Sequence, residues 1–258
     1  MRGPAILSMR WHDLLFASWP VAEERLRPLV PSALPIDTWG GSAWLTVVAL
    51  RLSRVRPLRV PLPRELLSFS QVNVRTYTTV AGKPGIWLLS VDCDDRPTVA
   101  AARAGFGAPY MHADVSVAAA GERVRARSRR SRHGGSSVPF DASYAPDGVA
   151  SPPEPGSLDD FIANRFSLYG SNRLGLLRSD IAHAPWPLQE AAADIDAAPL
   201  LGSLGLRMPS DPPILHFARE LDVLCGLPVR LRGVDAHRLP GRSRARSQSR
   251  LRRLIRSR

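Results

Sequence analysis

Phe69-Ser-Gln-Val-Asn-Val-Arg-Thr-Tyr-Thr-Thr-Val80 runs through Ala81-Gly-Lys-Pro-Gly85 into Ile86-Trp-Leu-Leu-Ser-Val-Asp92. Two β-rich runs around a Gly/Pro turn predict a hairpin. The first run alternates with period two. Gln71, Asn73, Arg75 and Tyr77 share one face, and Val72, Val74 and Thr76 share the other. The second run is almost wholly apolar until Ser90 and Asp92. A strand with hydrogen-bonding side chains beside a hydrophobic partner suggests the wall of a polar pocket.

Working outward from that hairpin, residues 11–19 read as a first strand or a buried segment. Pro20 fits the first turn of a short helix, with Glu23, Glu24 and Arg25 on its wet side. Trp39-Gly40-Gly41 is a turn, 43–52 a buried strand and 57–64 a Pro/Arg-rich loop. Downstream, 96–106 is Ala-rich and helical. Residues 111–119 and 122–130 flank Gly121 as a second hairpin, whose later strand carries Arg123, Arg125, Arg127 and Arg129 on one face. Five prolines make 134–156 a loop. Ser157 with Asp159 and Asp160 marks a helix start, and that helix is expected to reach about Tyr169. Residues 214–217 and 221–224 read as late strands. Many short strands and few helices favour one α+β domain, built on an antiparallel sheet or barrel and covering 1–240. Within it, 1–8 reads as an upstream extension if Met9 is the start.

At 258 residues and 44% hydrophobic, the chain has enough apolar sequence for a sizeable core. No apolar run approaches the roughly 20 residues that span a bilayer, and no secretory apolar region follows the N-terminus, so a membrane partner is not expected. Cys93 and Cys225 lack chelating or framework spacing. They read as free thiols of a reducing cytoplasm, with no metal. Of the net charge of +12, residues 241–258 supply eight Arg and no acid, which leaves the body near +4. That segment reads as a disordered basic tail with nonspecific nucleic-acid affinity at most. Apart from Lys83, every one of the 35 Lys and Arg residues is Arg. No dinucleotide fingerprint, P-loop, HExxH or GxSxG occurs, so no cofactor is expected.

The face Gln71/Asn73/Arg75/Tyr77 is the leading candidate site. Arg75 has no acid near it in sequence, and a buried Arg must be paired, which an anionic ligand can do. Asp92 shares a face with Ser90 and is expected to orient Arg75 or to act as a weak base. His183 and His216 are weaker candidates for acid–base chemistry, since His titrates near neutrality. Trp87, Trp186 and Phe69 are expected to supply the apolar part of the pocket. Lys83, between Gly82 and Pro84, reads as a turn residue rather than a Schiff-base amine.

Several short motifs occur in order: Met9-Arg-Trp-His-Asp-Leu-Leu-Phe, Trp19-Pro-Val, Gly41-Ser-Ala-Trp-Leu, Asn73-Val-Arg-Thr-Tyr, Ser90-Val-Asp, Pro185-Trp-Pro-Leu-Gln and Leu215-His-Phe. Together they resemble the YqjF-like family of bacterial proteins, domain of unknown function 2071, from about Met9 to Leu227. The resemblance implies an acetoacetate-decarboxylase-like fold, an antiparallel β-barrel-like core with helices outside. True acetoacetate decarboxylases use a buried lysine beside a second lysine. With one Lys, at a turn, this chain departs from that pattern. Relatives in the resembled family usually carry Glu at the position of Gln71 and His at that of Ser18. The expected function is therefore binding of a small anionic organic molecule in a polar pocket of the barrel. The alternatives are an enzyme using His/Asp acid–base chemistry on a small keto or hydroxy acid, and a nucleic-acid-associated protein.

Overall fold

The computed structural model describes residues 4–58, 67–131, 137–173 and 175–231. The tail 241–258 and residues 1–3 lie outside the described residues. Fourteen strands run in chain order: β1 (Ala5–Val21), β2 (Thr38–Trp39), β3 (Ser42–Pro57), β4 (Phe69–Val80), β5 (Lys83–Cys93), β6 (Tyr110–His112), β7 (Asp114–Ala120), β8 (Arg123–Ser131), β9 (Ser137–Ser151), β10 (Ser167–Asn172), β11 (Gly175–His183), β12 (Leu188–Asp196), β13 (Ile214–Gly226) and β14 (Val229–Arg230). Among the described residues four short α-helices intervene: α1 (Glu23–Leu26), α2 (Arg96–Gly105), α3 (Leu158–Ala163) and α4 (Ala198–Gly202). No helix among the described residues is long and apolar enough to cross a membrane.

The strands pair in the path β11-β10-β5-β4-β3-β1-β13, and β11 also pairs with β13, so seven strands return on themselves as a ring. All junctions of the ring are antiparallel except β5–β10, a two-pair parallel contact at Ile86↔Leu168 and Trp87↔Tyr169. Gly85 makes this contact sterically feasible. A Cβ there would lie 2.4 Å from the Ser167 carbonyl oxygen. From β13 the sheet continues through β12, β9 and β8 to β7, which folds back against β3 and β4.

This path makes two cores. The first lies between the outside of the ring and the returning sheet, and includes Leu15, Trp19, Val47, Val72, Val74, Val117, Phe140 and Phe217. The second fills the ring interior with Phe16, Val48, Tyr77, Leu88, Val91, Trp186 and Val223, and α3 contributes Ile162 to it. Period-two alternation sends neighbouring residues of one strand into different cores. Burial on both faces explains why β3 reads as a continuous apolar run.

The hairpin is β4–β5, with a tighter turn than the Gly/Pro cluster suggests. Val80 pairs with Lys83, and Ala81 and Gly82 both have positive φ (50° and 69°), as a two-residue primed turn requires. Lys83 to Gly85 therefore belong to β5. Residues 5–8 pair with β13 inside β1. Two other expectations are corrected. The helix after Ser157 ends at Ala163, and the chain re-enters the sheet as β10 by Ser167. The proline-rich 134–156 region contains the long strand β9, with Val138, Phe140, Ala142 and Tyr144 buried at alternate positions. Its prolines do not interrupt it, because tertiary burial outweighs local propensity.

Candidate functional site

Arg75 reaches the ring interior from β4 and is only 6% exposed. Its Nη2 donates one long bond, 3.4 Å, to the carbonyl oxygen of Ile162 in α3. Its Nε is buried and has no hydrogen-bond partner within the protein. No carboxylate among the described residues pairs with it. Beyond the Ile162 bond, compensation among the described residues comes from aromatic faces: the guanidinium lies 5.1 Å from the Phe16 ring centroid and 5.8 Å from that of Tyr77.

The other residues of that face are also interior. Asn73 is buried and its Oδ1 is unpartnered. Gln71 accepts from the Tyr110 hydroxyl at 3.1 Å. Tyr77 is fully buried, with its hydroxyl 2.6 Å from Thr46 Oγ1, itself 2.9 Å from Ser18 Oγ. Trp186 enters from the β11–β12 connection and packs edge-on against Phe16 at 5.2 Å and beside Trp11 at 5.7 Å. Phe69 joins the interior cluster, whereas Trp87 points to the outer core.

The two candidate histidines both reach this region, by different routes. His216 sits opposite Phe16 in the β1–β13 register and is 5% exposed. Its Nε2 is 2.9 Å from Asp159 Oδ1 of α3, and its Nδ1 is buried without a partner. His183, at the end of β11, stacks on Phe166 at 4.7 Å and lies 5.3 Å from Trp186. Its Nδ1 is 2.7 Å from the Ala184 carbonyl oxygen. Burial, chiefly, holds its pKa below the ordinary 6.5, and the charge of Arg75 pushes the same way. His183 also lines an open cleft of about 760 Å³ with Met9, Arg54, Arg56 and Val223.

Buried polar groups in folded proteins nearly always find partners. Among the described residues, eight buried side-chain nitrogen or oxygen atoms have none within the protein. Five of the eight belong to Trp11, Asn73, Arg75, Trp186 and His216, all on ring-facing positions. Such a concentration marks the interior as the place where polar chemistry is left unused by the fold. α3 lies over it, touching Arg75 through Ile162 and His216 through Asp159.

Asp92 does not join this site. Before the bulge at Val74/Arg75, Val72 pairs with Asp92 and Val74 with Ser90, so both polar residues face the outer core. Past the bulge, Arg75 pairs with Leu88. Asp92 is instead neutralised by Arg130 of β8, whose Nε donates to it at 2.7 Å and whose Nη2 bonds both Asp92 and Ser90. Ser128 donates to its other oxygen at 2.7 Å. The expected pairings of Asp92 with Arg75, His183 or His216 therefore do not occur. Asp159 is the carboxylate that meets His216. In the sequence it looked like one of two first-turn acids, and its partner 57 residues away left no local signal.

Lys83, the single lysine of the chain, sits at the β4–β5 turn and not inside the ring. Arg123, Arg125, Arg127 and Arg129 point outward from β8. The register sets Asp114 opposite Arg129 and Asp141 opposite Arg127, and Asp141 bonds Arg127 at 2.9 Å. The stripe is thus interleaved with acids rather than being a continuous basic face. No group of three metal-binding side chains occurs among the described residues.

A family model described as an uncharacterised conserved protein, domain of unknown function 2071, matches residues 8–222. The chain belongs to that family. YqjF of Bacillus subtilis strain 168 is 37% identical over 222 residues, covering 86% of this chain and 91% of the relative. Among solved structures, the enduracididine biosynthesis enzyme MppR complexed with pyruvate aligns with a TM-score of 0.61 at 13% identity, over 89% of this chain and 91% of that one. An acetoacetate-decarboxylase-like enzyme from Sphingomonas wittichii RW1 aligns at 0.58 and 14%, over 88% and 94%. The fold is therefore acetoacetate-decarboxylase-like, while the lysine of that chemistry has no counterpart inside this ring.

Proposed function

We propose that the ring interior binds a small organic anion, an oxo or hydroxy carboxylate whose negative group sits on Arg75. One observation carries this reading: a buried guanidinium with a single long hydrogen bond and no carboxylate partner. An isolated buried charge is costly, and a second charge with good hydrogen-bond geometry offsets that cost. The planar fork of Arg matches a carboxylate better than it matches the one carbonyl it now meets. The indole N–H groups of Trp11 and Trp186 are further unused donors, and Phe16 and Leu88 give the apolar wall that small-molecule sites usually have. MppR, a protein of the same fold, is complexed with pyruvate, a molecule of this class. Free thiols at buried Cys93 and half-buried Cys225, both pushed up to about 12 chiefly by desolvation, suit a reducing cytoplasm.

Calorimetric titration with pyruvate, lactate and acetoacetate, against neutral pyruvamide, tests the reading. At least one carboxylate is expected to bind and the amide is not. Arg75→Gln should weaken the carboxylate by about tenfold or more, since a charge-assisted hydrogen bond contributes roughly 1.5–3 kcal/mol. Arg127→Gln, on the outer sheet, should bind as the wild type does. Equal affinity for acid and amide, or for wild type and Arg75→Gln, overturns the anion site.

A further inference from the structure

We infer that Asp159 and His216 form a proton-transfer pair acting on the anion held by Arg75, and that the substrate is an oxo acid with a C–H bond beside its carbonyl. This rests on the anion-site reading above. Three features of the pair carry it. His216 is nine-tenths buried, yet each of its ring nitrogens has a distinct environment. Nε2 faces the Asp159 carboxylate at 2.9 Å, and Nδ1 meets no protein acceptor or donor. A carboxylate can only accept, so in the neutral ring the single imidazole proton lies on Nε2, and Nδ1 carries the free lone pair. That is the state of a base, oriented by a carboxylate that stabilises the imidazolium formed when the base takes a proton.

The second feature is position. His216 pairs with Phe16 across β1–β13, and the Arg75 guanidinium lies over that same Phe16 ring. The base and the cation therefore share one interior face, with β1 and β3, at Phe16 and Val48, between their strands. The third is α3. Its Asp159 orients the base and its Ile162 carbonyl holds the guanidinium, so one six-residue helix ties both groups to the same cover. A purely structural His–Asp pair would not require an unpartnered buried nitrogen on the side away from the carboxylate.

The step balances without a further reactant. Nδ1 removes the proton from the carbon beside the carbonyl. The C–H electron pair becomes the carbon–carbon π bond, and the carbonyl π pair moves onto oxygen as an enolate. Return of the proton from Nδ1 regenerates the oxo acid. In heavy water the returned nucleus is deuterium, so exchange reports the step even where no net product forms.

The test is proton NMR of the pyruvate methyl signal in heavy water, with calorimetric binding measured on each protein. Wild type should exchange faster than buffer and bind pyruvate. His216→Gln should lose exchange by on the order of a hundredfold, the usual scale of general-base catalysis, while binding changes by only a few-fold. Asp159→Asn should lower the turnover of exchange with KM held, and Asp159→Glu should restore part of it, as expected of a positioning residue. A wild type that binds pyruvate and leaves exchange at the buffer rate overturns the proton-transfer pair alone. Exchange that persists in His216→Gln also overturns it. Failure of pyruvate and acetoacetate to bind overturns the pair's role, and if lactate also fails to bind, the anion site falls with it.

Discussion

Arg75 and Asp92 lie on adjacent strands of one hairpin and end in different cores. Asp92 accepts three hydrogen bonds, two from Arg130 and one from Ser128, whereas Arg75 has one long bond. The shared face of Gln71, Asn73, Arg75 and Tyr77 was legible because a strand repeats every two residues. The opposition of Asp92 was not, because a bulge and the turn type set register across a hairpin, and neither is written in the alternation. Removing one member of a buried pair leaves the other uncompensated. Arg130→Met alone should cost about 3–5 kcal/mol in urea unfolding, and so should Asp92→Ala. The double variant should cost clearly less than the sum of the two. Additive losses would show that the pair does not couple the outer sheet to the ring.

At the scale of elements, the strands that alternate or run apolar were visible, as was α2. Those that were missed have physical reasons. β9 contains prolines that local rules read as loop. β10 and β11 pair with each other, from Ser167↔Asp180 to Asn172↔Gly175, in sequence with little apolar alternation, and β12 is a small-residue strand whose partner β9 lies well upstream. The ring closes at its weakest junction, the parallel β5–β10 contact, where Gly85 admits the Ser167 backbone. A Cβ at 2.4 Å from that oxygen forces the two strands apart. Gly85→Ala should therefore destabilise the protein by about 1–3 kcal/mol, the scale of overpacking, with a lower thermal midpoint. Gly121→Ala, in the β7–β8 turn with open space around it, separates this effect from backbone strain, because its φ of 65° is unfavourable for alanine without any clash. An unchanged midpoint in Gly85→Ala would show that the junction does not need the close approach.

At the scale of the whole molecule, a ring of seven strands with a returning sheet creates one core that stabilises the fold and another that houses unused polar atoms. The class of fold was readable from strand-rich patterning and from the ordered motifs. The ring, its two cores and the meeting of α3 with His216 were not, since they depend on long-range pairing. A site that holds an uncompensated charge is bound at some expense of stability. The central claim, that Arg75 is kept for a guest and not for the fold, is tested most directly by urea unfolding of wild type and Arg75→Met with and without pyruvate. Without pyruvate, the methionine variant should be the more stable, by about 1–4 kcal/mol, because a buried charge has been replaced by an apolar side chain of similar length. With pyruvate, only the wild-type midpoint should rise. A methionine variant that is several kcal/mol less stable than wild type, with a wild-type midpoint indifferent to pyruvate, would contradict the account.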